Sequence, residues 1–179
     1  MIAGAKKLDF DATAEVLAEE WRSQSESGFV HFKFIFAILD ARLRPLYPLV
    51  IDHIAEKKAN HHSVIFRMDE VVREEKSDEL ESAFRDALSQ CLKLKLMQNE
   101  NYEMPRISKI ALRHGVSEAI DGFLVCDGSS PEKLRADLGS VLDLPANDNE
   151  VITFLRANSS RWAWHSDRNK FEPAVPANF

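Results

Sequence analysis

Residues 78–107, DELESAFRDALSQCLKLKLMQNENYEMPRI, contain a change of hydrophobic period that decides the fold. In the first half, apolar residues recur every three or four positions, which is typical of one face of an α-helix. From Lys93 to Leu96, polar and apolar residues alternate, as they do in a half-buried strand. A polar turn at 98–101 is followed by a second alternating run that ends at Ile107. We therefore predict a helix over 78–91 and a β-hairpin over about 92–107.

Working outward, most of the remaining chain has helical periodicity. Helices are expected from Asp11 to the polar segment 23–28, and over 29–43, 48–58, 68–75, 131–144 and from 147 onward, with a short β-prone run at 64–66. The predicted fold is mostly α with one small β-hairpin. We expect an N-terminal helical segment (1–45), a central domain (46–125), a C-terminal helical extension (126–171) and a mobile tail (172–179).

The order of elements over about 46–112 is helix, short strand, helix, two-residue turn, helix, strand, turn, strand. This order resembles the winged-helix fold, in a variant with extra N- and C-terminal helices. The resemblance implies that 78–91 is the recognition helix and that 98–101 is the tip of the wing. It also implies a regulatory protein that associates with DNA.

Composition describes an ordinary soluble domain. The 179 residues are 45% hydrophobic and 29% charged, with a net charge of −6. Cys91 and Cys126 are too few for a disulfide framework, which favours a reducing compartment. The most apolar run, 34–39, is far shorter than the roughly 20 residues of a spanning helix. We expect a cytoplasmic protein without membrane contact.

Charge is unevenly distributed around the helix-turn-helix. Residues 69–81 contain seven carboxylates and two basic residues. Three of these carboxylates, at 78, 79 and 81, fall in the first turn of the expected recognition helix, where they would repel the phosphate backbone. Downstream, over 85–114, six basic residues stand against three acidic ones. These six are the candidate DNA contacts: Arg85, Lys93, Lys95, Arg106, Lys109 and Arg113. The alternative is that they pair with the acidic helix and protect an edge strand.

Patterns that carry chemistry are missing from the sequence. It has no Gly-rich phosphate loop and no Gly-x-Ser-x-Gly motif. His61 with His62, and His165 with Asp167, lack the spacing of metal ligands and are interpreted as polar surface. We therefore expect no enzyme activity, no catalytic residue, no metal site and no cofactor.

Aromatic residues indicate a surface for another protein. Phe32 and Phe36 belong to the apolar helix 29–43, which is either central to the core or the basis of a homodimer. Trp162 and Trp164 are two positions apart, so both cannot face inward on one helix. These four residues are the candidate partner contacts.

Two functions remain open from the sequence. The first is a non-enzymatic regulatory protein that binds DNA weakly and non-specifically through the wing and its basic neighbours. The second is an adaptor or inhibitory subunit that binds a protein partner and makes no DNA contact.

Overall fold

The computed structural model describes residues 10–28, 30–56, 62–97, 104–124, 130–158 and 162–173. Those residues form mostly helices with one small hairpin, which confirms the predicted fold class. In order, the elements are α1 (Phe10–Glu26), α2 (Phe32–Asp40), a 3-10 turn (Arg44–Leu46), α3 (Tyr47–Ala55), α4 (His62–Glu75), α5 (Asp78–Met97), α6 (Met104–Arg113), α7 (Glu118–Leu124), α8 (Pro131–Leu138), α9 (Asp148–Asn158), β1 (Trp162–His165) and β2 (Lys170–Pro173).

A single hydrophobic cluster runs from Ala14 in α1 to Phe171 in β2. Phe84, near the middle of α5, is fully buried, and α5 packs against α3, α4, α6 and α7. The long amphipathic helix is therefore the element that brings most of the others together. This agrees with the large apolar face of α5 in the sequence.

The connection between α4 and α5 is a two-residue break, as the sequence predicts. Lys76 ends α4 in the left-handed region with a φ of 51°. The Ser77 hydroxyl then caps α5 by accepting a hydrogen bond from the backbone N–H of Leu80 at 3.3 Å. Two helices joined by a two-residue break therefore lie at the position expected from the sequence.

The predicted location of the hairpin is wrong. Residues 93–97 continue α5, and α6 begins at Met104, so both expected wing strands are helical where they are described. Cys91, Leu92 and Lys95 are buried at helical spacing after Leu88, and this longer periodicity outweighs the local alternation. The turn at 98–101 lies outside the described residues, and the winged-helix assignment stays a prediction.

The hairpin of the described chain lies near the C-terminus instead. β1 pairs antiparallel with β2 so that Trp162 faces Pro173 and His165 faces Lys170. Asn169 occupies the left-handed region at the turn, with a φ of 51°. The backbone N–H of Phe171 donates to the Val141 carbonyl oxygen at 2.7 Å, which ties β2 to the segment after α8. The expected tail therefore begins too early, since 172 and 173 belong to β2.

The crossing of α6 and α7 depends on small side chains. A Cβ on Gly122 of α7 would lie 2.1 Å from the Ser108 Oγ and 3.1 Å from the Met104 Cε of α6. Ser108 is fully buried, and its hydroxyl has no hydrogen-bond partner among the described residues. The backbones of α6 and α7 approach closely here because Ser108 and Gly122, which meet at the crossing, are both small.

Other boundaries shift by a few residues. The apolar helix expected over 29–43 is the shorter α2, and Phe29 lies outside the described residues. The β-prone run 64–66 belongs to α4, since Val64 and Ile65 bury with Met68 on one helical face.

Candidate functional site

The six candidate DNA-binding residues do not form one exposed ridge. Lys95 is only 8% exposed within α5, so the prediction that it contacts phosphate beside Lys93 is wrong. In a helix, residues two apart point in different directions, whereas in a strand they would share a face. Lys93 is exposed, but its ammonium lies 2.9 Å from a Glu118 carboxylate oxygen.

The other basic side chains also have polar partners. Lys109 lies 3.2 Å from an Asp137 carboxylate oxygen, and Arg113 lies 3.2 Å from an Asp69 carboxylate oxygen. Arg106 is 3.2 Å from the Nε2 of His62, and Arg85 donates to a serine hydroxyl one turn away. A phosphate backbone would have to compete with several carboxylates. DNA association through these residues therefore stays a prediction with less support than the sequence suggested.

Burial and pairing shift the pKa of the Glu118 carboxyl in opposite directions. Its partial burial raises the pKa of the carboxyl, but hydrogen bonds from Lys93, the backbone and Ser89, together with the positive charge of Lys93, leave the pKa below its ordinary value. The ionised form is thus favoured in the folded protein. The Lys93–Glu118 pair links α5 to α7 and is a structural contact.

The most unusual polar group in the described chain is the buried pair of Asp69 in α4 and His114 at the end of α6. The Asp69 Oδ1 lies 2.8 Å from the His114 Nε2, and both side chains are at least 96% buried. Arg73 and Arg113 approach the other carboxylate oxygen at 3.3 and 3.2 Å. Charges in such a place are retained only when they are paired and hydrogen-bonded.

The ionisation of Asp69 fixes the direction of the hydrogen bond. Burial raises the pKa of the Asp69 carboxyl, but the hydrogen bond with His114 and the charges of Arg113 and Arg73 together hold the pKa below its ordinary value. An ionised carboxylate only accepts hydrogen bonds. The Nε2 of His114 therefore carries the hydrogen and donates a hydrogen bond to the Asp69 carboxylate.

The Nδ1 of His114 faces another carboxylate. The Nδ1 makes no hydrogen bond to any described residue, and the Glu81 Oε1 lies 3.5 Å from it. The ring of His114 is held edge-on against Phe84, with 5.1 Å between ring centroids. The His114 ring and the Glu81 carboxylate thus lie next to each other at the edge of a polar cleft.

The polar cleft has a volume of about 440 Å³ and lies between the start of α5, the end of α6 and the hairpin turn. Side chains at positions 78, 81, 82 and 85 line it from one face of α5. The remaining lining residues are Arg113, His114, Trp164, Ser166 and Asn169. The cleft therefore combines two guanidinium groups, two exposed carboxylates and one flat aromatic ring.

Trp164 is positioned by a glycine. Gly115 ends α6 in the left-handed region with a φ of 73°, and a Cβ there would lie 3.0 Å from the indole of Trp164. The indole also contacts Phe171, with 4.7 Å between ring centroids. Close packing on both sides fixes the ring beside His114, with part of its surface exposed in the cleft.

The lowered pKa of Asp69 has a predictable effect on stability. In the unfolded chain the Asp69 carboxyl takes up a proton near pH 3.9, whereas in the folded chain it does so only at lower pH. The contribution of the Asp69 carboxylate to the free energy of unfolding is therefore complete above about pH 5, and it disappears as the pH falls through the folded pKa. We expect the difference in unfolding free energy between the wild type and Asp69→Asn to shrink from pH 7 to pH 3. Urea titrations at several pH values measure it, and a difference that is constant with pH would contradict the assignment.

A second, apolar groove lies between α3 and α5. It has a volume of about 460 Å³ and is lined by Tyr47, Pro48, Ile51, Leu80 and Ala83 together with polar residues at its rim. The rim carries the exposed carboxylates of Asp52 and Glu79, while Glu75 pairs with Arg44. The groove therefore combines an apolar floor with a rim of three carboxylates and one arginine.

Tyr47 lies at the junction of floor and rim. Its hydroxyl donates to a Glu75 carboxylate oxygen at 3.5 Å. Burial and the negative charge of Glu75 raise the pKa of the phenol. Tyr47 is therefore a neutral, fixed part of the groove wall.

The four aromatic candidates for partner contact separate into two groups. Phe32 and Phe36 are half-buried and lie edge-to-face, 5.7 Å between centroids, so a homodimer through α2 stays a prediction. Trp162 is only 8% exposed and contacts Phe154, so its role as a partner contact is wrong. Trp164 lies in β1 and lines the polar cleft.

Sequence reasoning did not single out Asp69 or His114. Asp69 is one of the seven carboxylates of the acidic run 69–81, although Ile65, Met68 and Val72 surround its position on the helical face of α4. A carboxylate in the middle of an apolar stripe is the signal that was available. No pattern in the sequence indicates that His114, 45 residues away, is its partner.

Comparisons with protein families, with curated proteins and with solved structures found no match for this chain. In the described ranges, no helix is long and apolar enough to cross a membrane.

Proposed function

We propose that this protein is a non-enzymatic adaptor that binds a partner protein through the apolar groove between α3 and α5. The observation that supports this is the composition of the groove. Half-buried and exposed apolar side chains from two helices, Ile51, Leu80 and Ala83, lie beside a rim on which three carboxylates outnumber one arginine. A surface of this kind fits an amphipathic helix, which places its apolar face in a groove.

Charge selects the class of partner. Asp52 and Glu79 at the rim, and the net charge of −6 for the whole chain, favour a segment with basic residues flanking its apolar face. The same acidic positions disfavour the phosphate backbone of DNA. We therefore favour the adaptor function over DNA association. The partner segment that fits this groove is a basic amphipathic helix.

The proposal predicts selective binding of a designed peptide. A labelled helical peptide of about 15 residues, with leucines on one face and lysines on the flanks, spans about 22 Å. We expect it to bind the full chain in fluorescence anisotropy, and we expect a matched peptide with glutamate in place of lysine not to bind. Ala83→Arg should weaken binding about tenfold or more, since it adds bulk and positive charge to the groove.

Ala136→Arg is the matched control, because Ala136 is an exposed helical alanine in α8 outside the groove. Equal binding of both peptides, or equal loss in both variants, would contradict the proposal. A gel-shift titration of duplex DNA tests the other function in parallel. A shift at tens of micromolar protein that is lost on replacing Arg85 and Arg106 with Ala would restore the DNA hypothesis.

A further inference from the structure

We propose that α2 and α4 form the interface of a homodimer, in which a second copy of this chain covers the groove between the two helices. This aromatic groove has a volume of about 600 Å³ and is lined by α2, α4 and Arg106 of α6. It shares no lining residue with the apolar groove between α3 and α5. The inference is therefore independent of the proposed adaptor function.

The surface of the aromatic groove carries rings from both helices. Phe36 of α2 and Phe66 of α4 line it, and Phe66 is 39% exposed. Phe32 lies one turn before Phe36, with 5.7 Å between ring centroids, and His62 lies one turn before Phe66, with 5.8 Å between ring centroids. Aromatic residues are enriched in the cores of protein–protein interfaces, where another surface removes them from water.

The charges beside these rings select the covering surface. The lining includes two carboxylates and two guanidinium groups, which sum to zero: Asp40, Glu70, Arg67 and Arg106. The Arg67 Nε lies 2.7 Å from the Asp40 Oδ1, and Arg67 also pairs with Glu70. In a two-fold dimer each surface meets itself. A patch with both signs can therefore pair with itself, whereas a patch of one sign is repelled by its copy.

The same criterion separates this groove from the other surfaces and partners. Three carboxylates and one arginine line the apolar groove between α3 and α5, so that groove would repel a second copy of itself. A polyanion gains no net attraction from a lining that sums to zero. A second copy brings both aromatic rings and both signs of charge to the contact.

Arg106 can supply an ion pair across the interface. Its side chain is exposed, and one guanidinium nitrogen lies 3.2 Å from the His62 Nε2. A guanidinium has five N–H donors, so donors remain for an acceptor of another molecule. The Glu70 side chain is about 44% exposed and contacts Arg67 through one oxygen. Because a two-fold axis repeats every contact, an Arg106–Glu70 pair between copies would form twice.

The size of this face sets the expected affinity. The 14 residues of α4 span about 21 Å, and two packed helices are together about 20 Å wide. The projected area is therefore about 400 Å², smaller than the roughly 800 Å² per partner of a standard interface. We expect a reversible dimer with a dissociation constant on the order of 10 μM.

Sedimentation velocity of the full-length protein between about 1 and 200 μM measures the association. We expect the mean mass to rise from that of one chain towards that of two over this range, with a midpoint on the order of 10 μM. A mass that stays at one chain up to about 200 μM would overturn the proposal.

Two matched substitutions locate the interface. Phe66→Glu places a carboxylate among the rings, and we expect it to raise the dissociation constant of the dimer at least about tenfold. Met97→Glu is the control, since Met97 is a 79% exposed apolar residue at the end of α5 that does not line the aromatic groove. It should leave the dissociation constant unchanged. Association that survives Phe66→Glu, or that is lost equally in both variants, would refute the interface.

A charge exchange tests the same surface without altering a ring. Arg106→Glu changes the sum of the four groove charges from 0 to −2, and Glu70→Arg changes it from 0 to +2. Each variant alone should self-associate at least about fivefold more weakly, because like charges meet. An equimolar mixture brings opposite charges together and should dimerise to within about threefold of the wild type. If the mixture associates as weakly as the separate variants, the aromatic groove is not the dimer interface.

Discussion

We expect Asp69→Ala to lower the free energy of unfolding by about 3 kcal/mol, which is the usual result of removing one partner from a buried, hydrogen-bonded charge network. The substitution leaves the buried imidazole of His114 without its acceptor and removes the carboxylate that Arg73 and Arg113 share. In a chain of this size, the midpoint of thermal unfolding should fall by about 6–12 °C. Thermal and urea unfolding followed by circular dichroism measure both quantities.

Glu74→Ala is the matched control, because Glu74 is also a carboxylate of α4 that pairs with an arginine, Arg42. Its side chain is about 62% exposed, and an exposed ion pair contributes about 1 kcal/mol or less. Asp69→Asn separates charge from shape, since the amide oxygen can still accept from His114. Similar losses in Asp69→Ala and Glu74→Ala would show that the buried pair contributes no more than a surface pair.

The second large effect is expected at the crossing of α6 and α7. Gly122→Ala places a Cβ 2.1 Å from the Ser108 Oγ and 3.3 Å from the Ser108 Cβ, so the serine must rotate and the tight contact with its Cβ must relax. Alanine improves helix propensity by about 1 kcal/mol, but overpacking a buried contact costs about 1–3 kcal/mol. Because this contact involves a fully buried backbone crossing, we expect the steric effect to dominate and the protein to lose about 2 kcal/mol.

A compensating substitution tests the cause. Ser108→Ala removes the atom nearest to the new Cβ, so the double variant Gly122→Ala/Ser108→Ala should recover at least half of the loss in urea unfolding. Ser108→Ala alone should be neutral or slightly stabilising, because the buried hydroxyl has no hydrogen-bond partner among the described residues. A double variant as unstable as Gly122→Ala alone would place the strain elsewhere.

The sequence by itself determined the elements that depend on local chemistry. Periodicity predicts the apolar stripe of α5 and the mainly helical content. Capping chemistry predicts the two-residue break at Lys76 and Ser77. Local alternation was misleading at 93–96, where the strand pattern competed with a longer helical one. Alternation does correspond to a strand at 162–165, where Trp162 and Trp164 share one face of β1.

Only the tertiary structure decided which charged residues meet. The basic residues of 85–114 form one patch in the sequence, but packing pairs Lys93 with α7, Lys109 with α8 and Arg113 with α4. The pairing of Asp69 with His114 is likewise a consequence of how α6 packs against α4. Periodicity reports which face of a helix is apolar, but it has no information about which helix lies opposite. Contacts between residues distant in sequence, and the polar cleft that they form, therefore come from the packing of the whole core.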